Sequence, residues 1–306
     1  MVRDLFAPIG VPDRPPPGAA RDHRPFALVL GGGGARGFAH LGVLRALEHA
    51  GYRPSRIVGV SMGALVGVAY ARRDDWYRAV MAMNLDGFPG PAVTPPDRTR
   101  RPRSMWMRAL AGTATLRRGI TMVTDWGPGA KARAKGLAEL RKLVGHVALD
   151  RTRIPVAVTA TDLRSGERVV LRHEPSDDAV YASAALAGVL PPLEFGRYLL
   201  ADGAYSDLAP VDVAREADDA MVVAVDAGVM DEAGEIRNGY RAIMRAMEIC
   251  HRQHARLRFS EADLVLRPAF RRSIDVLDFG ARRECVAAGV RVVRVERAAL
   301  GRLLEG

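Results

Sequence analysis

With 306 residues, of which 48% are apolar and 26% charged, the chain has the composition of a globular protein and is long enough to bury a large core. Two cysteines exclude a disulfide framework and a cysteine-rich zinc site. No apolar run reaches the roughly 18 residues of a membrane span, and the N-terminus has no stretch typical of a signal peptide. The sequence therefore predicts a cytoplasmic protein.

The net charge of +10 comes from 45 basic residues, only three of which are lysines. So strong an arginine bias is more typical of genome composition than of function. No zinc-finger spacing or aromatic and basic RNA-binding motif is present, so we expect no nucleic-acid partner.

In chain order, residues 1–25 are rich in proline and arginine and are predicted to form an irregular arm. A short apolar run at 26–30 is typical of a buried parallel strand, and it leads into the glycine run 31–37. A helix is predicted at 38–50, a second strand at 57–60 and a second helix at 64–72.

The remainder of the chain continues to alternate between helical and strand patterns. Residues 86–103 are predicted to form a loop, and 104–145 are more helical in character. The later predictions are strands at 154–161, 169–171, 198–201, 220–226 and 264–266, and helices at 177–187, 210–217, 237–258 and from 281. This alternation predicts an α/β fold with three α/β/α layers and a mostly parallel central sheet, in one domain spanning 26–306.

Ser61 lies in the pattern Gly59-Val-Ser61-Met-Gly63, which is typical of a nucleophile elbow. A serine at a sharp turn between a strand and a helix has a strained backbone, and side chains two residues before and after it would collide. Glycine at both places removes that collision. The alternative is a glycine-rich structural turn.

The glycine run Gly31–Gly37 can present several backbone N–H groups at one point, which suits a phosphate or an oxyanion. Gly32, Gly34 and Gly37 satisfy the dinucleotide pattern, but the second predicted strand ends in serine rather than in an acid. A parallel sheet would place this loop beside Ser61, with Arg36 adding charge or shaping the loop. We therefore favour an oxyanion loop, and a nucleotide-binding module remains an alternative.

Asp202 follows a short apolar strand and precedes Gly203, so its carboxylate can reach the same edge of the sheet. The histidines that follow it, His251 and His254, lie in a charged helical pattern and are predicted to be solvated. His40 is predicted to pack or cap. We therefore expect Asp202 itself to act as the general base, in a site of two residues.

Together these three motifs, in this order, resemble the patatin-like phospholipase family, and they are most similar to its bacterial members and to the catalytic region of neuropathy target esterase. Residues 157–167 and 182–192 are also similar to the family, and the likeness covers about residues 26–266. The resemblance implies the patatin-like fold and an acyl hydrolase with a Ser61–Asp202 dyad, no third histidine and no catalytic metal or cofactor. It assigns Gly32, Gly33, Gly34 and Arg36 to the oxyanion loop, and Gly59 and Gly63 to the elbow.

The implied substrates are ester-linked acyl chains of phospholipids, lysophospholipids or simpler lipids. An acyltransferase with the same acyl-enzyme chemistry is an alternative that sequence does not separate. Residues 98–118 carry seven arginines and no acid, interleaved with Trp106 and three aliphatic side chains. They are either an exposed charged segment or a basic lid that contacts an anionic membrane. The sequence leaves the oligomeric state open.

Overall fold

A computed structural model describes residues 22–84, 129–187, 189–216, 221–228, 236 and 239–306. Eight strands in these residues form one sheet in the order β5-β6-β3-β2-β1-β7-β8, and β4 also pairs with β3. The strands β1 to β8 are Phe26–Leu30, Arg56–Val60, Val156–Asp162, Arg168–Leu171, Leu193–Phe195, Tyr198–Asp202, Met221–Val225 and Leu264–Leu266.

Five neighbouring strands, β3-β2-β1-β7-β8, are parallel, whereas β4 and β6 are antiparallel to β3 and β5 is antiparallel to β6. The central strand β1 is buried along its whole length. It reads as a continuous apolar run because a parallel strand covered on both faces meets no solvent. The predicted, mostly parallel sheet is confirmed.

Helices cover both faces of the sheet. They are α1 to α9: Ala39–Ala50, Met62–Arg72, Trp76–Met81, Gly129–Val144, Ser176–Ala184, Val211–Arg215, Gly239–Phe259, Arg282–Val295 and Arg297–Leu304. Phe26, Leu28 and Leu30 join a core that includes α1, α2 and α8. Ala27 and Val29 join the opposite core with α6 and the end of α7. The alternation follows from the twofold side-chain period of a strand, and the three-layer prediction is confirmed.

Two short elements were not expected from the sequence, α3 and the three-residue strand β5. The helix predicted over 177–187 ends at Ala184. Of the predicted N-terminal arm, residues 22–25 are described, and the Arg24 N–H donates to the Leu304 carbonyl at 2.8 Å. Residues 98–118 lie outside the described residues, and the single-domain interpretation stays a prediction. None of the described helices is long and apolar enough to cross a bilayer.

Candidate active site

Strand β3 brings two distant parts of the chain together because two strands share one of its edges. Strand β2 pairs with β3 until Val60 lies opposite Thr159, and β6 arrives from the other direction until Asp202 lies opposite Ala160. Strand β4 pairs with residues 158–161 of β3 and therefore occupies the other edge. The ends of β2 and β6 thus meet head-on, and this register places Ser61 next to Asp202.

Ser61 occupies a sharp turn between β2 and α2. Its φ of 54° and ψ of −120° make it the non-glycine residue with positive φ in the described part of the chain. A Cβ at Gly59 would lie 2.6 Å from the Cα of Ala64, and a Cβ at Gly63 would lie 2.1 Å from the carbonyl oxygen of Leu30. Both contacts are too close for any side chain, so the turn requires glycine at the two predicted positions.

The strained turn is held by a chain of hydrogen bonds. The Ser61 N–H donates to Ser183 Oγ at 2.8 Å, and the Ser183 hydroxyl donates to the Thr159 carbonyl at 2.7 Å. Ser183 lies in α5, so this helix fixes the orientation of the elbow relative to β3. A strained backbone persists only where its surroundings determine it in this way.

The Ser61 hydroxyl donates to Asp202 Oδ2 at 2.8 Å. The other carboxylate oxygen, Oδ1, accepts the Ala204 N–H at 2.9 Å. Asp202 is 4% exposed. Burial raises the pKa of Asp202 to about 6, although the hydrogen bonds from Ala204 and Ser61 lower it. Near neutral pH the carboxylate is therefore ionised, and it is a stronger base than an exposed aspartate.

The glycine loop follows β1, directly beside the elbow, because Leu30 pairs with Gly59. The Gly32 N–H donates to the Leu208 carbonyl at 3.2 Å, so within the predicted oxyanion loop this amide already has a backbone acceptor. Gly34 has a φ of +54°. Within the described residues, the N–H groups of Gly33 and Gly34 donate to no protein acceptor, and both glycines line the same cavity as Ser61.

Arg36 is buried, and its guanidinium donates to Glu248 of α7 at 2.7 Å. Glu248 also accepts from Arg245 at 3.0 Å. Burial would favour the neutral acid, but the hydrogen bond and charge of Arg36 keep the pKa of Glu248 below its ordinary value. Arg36 therefore ties the glycine loop to α7.

Ser61 and Asp202 open onto a cavity of about 1270 Å³, counting its mouth. Most of its wall is apolar, from the elbow helix, the loop after α5 and the segment before α8. The apolar lining residues include Met62, Leu65, Met83, Leu140, Leu186, Val189, Leu190, Leu208, Met247, Val276, Leu277 and Phe279. Apolar walls with a few convergent polar groups are typical of a site for a largely hydrophobic ligand.

One side of the cavity is formed by α7, which the sequence did not place there. His251 was predicted to be solvated, but it is half-buried in the cavity wall, with its ring 5.4 Å from that of Tyr205. Burial lowers the pKa of His251. Its position follows the helical spacing of Met247 and His251, a signal present in the sequence. His254 is exposed, as predicted.

His40 packs below the glycine loop, in agreement with the sequence. Its Nε2 donates to the Gly31 carbonyl at 2.8 Å. Burial lowers the pKa of His40 to about 4, against the effects of that hydrogen bond and of Asp226, so the ring is neutral at physiological pH.

The sequence profile of the patatin-like phospholipase family matches residues 28–215, which is more than half of the chain. The chain belongs to the patatin-like phospholipase family. The matched region of this patatin-like chain runs from β1 to α6 and includes the glycine loop, the elbow and Asp202.

Three relatives illustrate the range of the family. An uncharacterized NTE family protein of Mycobacterium tuberculosis is 36% identical over 185 residues, covering 60% of this chain and 44% of that protein. Lysophospholipase NTE1 of Cryptococcus neoformans is 33% identical over 68% of this chain and 11% of its own. Human patatin-like phospholipase domain-containing protein 6 is 29% identical over 68% of this chain and 14% of its own.

The chain thus spans less than half the length of these curated relatives. Among solved structures, VipD from Legionella pneumophila is 16% identical, with a TM-score of 0.44 over 91% of this chain and 67% of VipD.

Proposed function

We propose that this chain is a serine acyl hydrolase that cleaves ester-linked acyl chains of phospholipids, lysophospholipids or related lipids. The observation that carries the proposal is the 2.8 Å hydrogen bond from the Ser61 hydroxyl to a buried carboxylate, both of which line a large, mostly apolar cavity. Family membership supports the same reaction class, and one relative bears the name lysophospholipase.

In the proposed first step, Asp202 accepts the hydroxyl proton while Ser61 Oγ attacks the ester carbonyl carbon. The protonated Asp202 then donates that proton to the leaving alkoxide, which departs as an alcohol and leaves an acyl-serine. In the second step a water molecule gives a proton to Asp202 and attacks the acyl-serine carbonyl carbon. The bond to Ser61 Oγ then breaks, Asp202 returns the proton to Oγ, and the fatty acid is released.

The N–H groups of Gly33 and Gly34 are proposed to stabilise the oxyanion of each tetrahedral intermediate. They lie beside the elbow and donate to no protein acceptor in the described residues. A single donor of this kind contributes about 10²–10³ to the rate in other serine hydrolases. The same geometry weakens the nucleotide-binding alternative, because the amides of Gly31 and Gly32 already donate to the carbonyls of Val225 and Leu208.

The acyl chain is proposed to occupy the apolar part of the cavity, against the segment that contains Val276, Leu277 and Phe279. His251 and the Arg36–Glu248 pair lie on the α7 side. We therefore expect the polar portion of the substrate to face α7. We also propose that the protein makes peripheral contact with membranes, because its proposed substrates are lipids.

The proposal is tested by labelling the protein with a fluorophosphonate probe, mapping the modified peptide by mass spectrometry, and measuring hydrolysis of a short-chain soluble ester and of a lysophospholipid. The variants are Ser61→Ala, Asp202→Asn and a control, Ser55→Ala. Ser55 donates to the Phe26 carbonyl at the opposite end of the same strand from Ser61. The control makes the same serine-to-alanine change at a residue that does not line the cavity.

We expect the adduct on Ser61 and no turnover by Ser61→Ala. Asp202→Asn should react with the probe at least a hundredfold more slowly, since general-base assistance contributes about 10²–10⁴. Ser55→Ala should behave as wild type. Undiminished labelling of a folded Asp202→Asn protein would exclude Asp202 as the base, and residual ester hydrolysis by Ser61→Ala would exclude the dyad.

A further inference from the structure

A second cavity carries a concentration of positive charge that the acyl hydrolase reaction does not use. It encloses about 1420 Å³, counting its open side, and it lies between α3, the segment before α8, and α8 itself. Its charged lining residues are Arg271, Arg272, Arg283, Arg291, Arg294 and Glu284. Five guanidinium groups therefore face one carboxylate. We call this cavity the arginine cleft.

In the described part of the chain, two of these guanidinium groups, those of Arg271 and Arg283, have neither an ion-pair nor a hydrogen-bond partner. Arg272 is bound by Asp278 at 3.0 Å and by Glu284 at 3.2 Å, so both nearby carboxylates serve the same arginine. Arg291 donates to the Ala269 carbonyl at 3.1 Å. Arg271 and Arg283 are exposed, and neither makes an ion pair or hydrogen bond within the part of the chain that the structure describes.

The arginine cleft has the chemistry of a site for a phosphate group. Guanidinium groups bind phosphate oxygens through paired N–H donors, and several positive charges gathered in a concave surface attract an anion more strongly than scattered ones. The arginine-rich composition explains why these residues are arginine rather than lysine. It does not explain why five of them line one cleft with a single acid.

The arginine cleft adjoins the catalytic cavity. Arg271 and Arg272 line the cleft, whereas Val276 and Leu277, a few residues later in the same segment, line the catalytic cavity. At the end of α3, Met81 lines the cleft and Met83 the catalytic cavity. Met81 and Met83 are two positions apart, so their Cα atoms are at most about 7.6 Å from each other. The two cavities are therefore separated by a single wall.

We propose that the arginine cleft binds a phosphate group, either in the headgroup of an anionic membrane lipid or as a free phosphate. Bound to a headgroup, it would hold the catalytic cavity close to the bilayer. Binding needs neither Ser61 nor Asp202, so it can be measured whether or not the proposed hydrolysis occurs.

The test compares Arg271→Gln/Arg283→Gln with a matched control, Arg151→Gln/Arg302→Gln. Arg151 and Arg302 are also exposed, make no ion pair within the described residues, and line neither cavity. Both double variants lower the net charge by the same amount. One arm measures cosedimentation with vesicles of phosphatidylcholine alone or with about a third phosphatidylglycerol. The other measures thermal unfolding in inorganic phosphate against chloride at equal ionic strength.

For a lipid headgroup, we expect wild type and control to bind the anionic vesicles equally and the cleft variant to bind roughly thirtyfold more weakly, since each arginine near an anionic surface contributes about a factor of five. For free phosphate, we expect phosphate to raise the unfolding temperature of wild type and control but not of the cleft variant. Equal responses of the two double variants in both arms, including no binding by any protein, would overturn the proposal.

Discussion

The substitution Asp202→Asn is expected to abolish catalysis and, at the same time, to stabilise the fold at neutral pH. The Asp202 carboxylate is buried, with Ser61 Oγ and the Ala204 N–H as its hydrogen-bond donors. Burial raises its pKa from the ordinary 3.8 to about 6, against the opposite effect of those hydrogen bonds. An asparagine retains an oxygen for Ala204 but carries no charge that must be buried.

The sign follows from proton binding. Between pH 3.8 and about 6 the folded protein holds a proton that the unfolded chain has lost, so the free energy of unfolding falls as pH rises through this window. The free energy of unfolding of the wild-type protein falls by about 3 kcal/mol in total, and the fall is complete above about pH 6. The asparagine variant does not titrate, so its advantage over wild type should grow from roughly 1 kcal/mol at pH 4.5 to roughly 3 kcal/mol at pH 7.5.

Urea unfolding followed by circular dichroism at pH 4.5 and 7.5 measures this difference. The matched control is Asp226→Asn, a second buried aspartate, whose carboxylate accepts from Arg252 at 2.6 and 3.1 Å. Its loss leaves the buried Arg252 without that partner and should destabilise the protein by about 3–5 kcal/mol. The reasoning is refuted if Asp202→Asn is less stable than wild type at pH 7.5, or if its advantage is the same at both pH values.

Three further predictions concern the same site. For a soluble ester, kcat/KM should rise tenfold per pH unit below about pH 6 and level off above it, because Asp202 must be ionised; a flat profile from pH 4.5 to 8 would exclude it as the base. Gly63→Ala should prevent folding or lower the free energy of unfolding, measured in urea, by more than about 3 kcal/mol, because the new Cβ would lie 2.1 Å from the Leu30 carbonyl oxygen. The control Gly136→Ala in α4 should instead raise the free energy of unfolding by about 1 kcal/mol. Glu248→Gln should lower the free energy of unfolding by about 1.5–3 kcal/mol, because it weakens the hydrogen bond to Arg36. Unchanged stability would mean that this hydrogen bond does not stabilise the fold.

Part of the candidate active site could be predicted from the sequence because some of its determinants are local. The clash that demands glycine at Gly59 is local, because a Cβ there would meet the backbone of Ala64 at the start of the next helix. A Cβ at Gly63 would instead meet the carbonyl oxygen of Leu30 in the neighbouring strand β1, which is a tertiary contact. The apolar run of β1 is a local consequence of burial on both faces. The sequence also predicted the helix α7 from its spacing, but not which face of α7 lies toward the cavity. His251 was therefore wrongly predicted to be solvated.

The sequence by itself determined the layered α/β fold, the glycine pattern of the strained elbow and the candidate site residues. Only the tertiary structure decided how those residues meet. Ser61 and Asp202 are 141 positions apart, and they touch because β2 and β6 end head-on along one edge of β3. The same packing turned the Gly32 amide to Leu208 and gathered five arginines around one cleft. Strand register and helix packing are long-range properties, and they depend on contacts that no local window of the sequence contains.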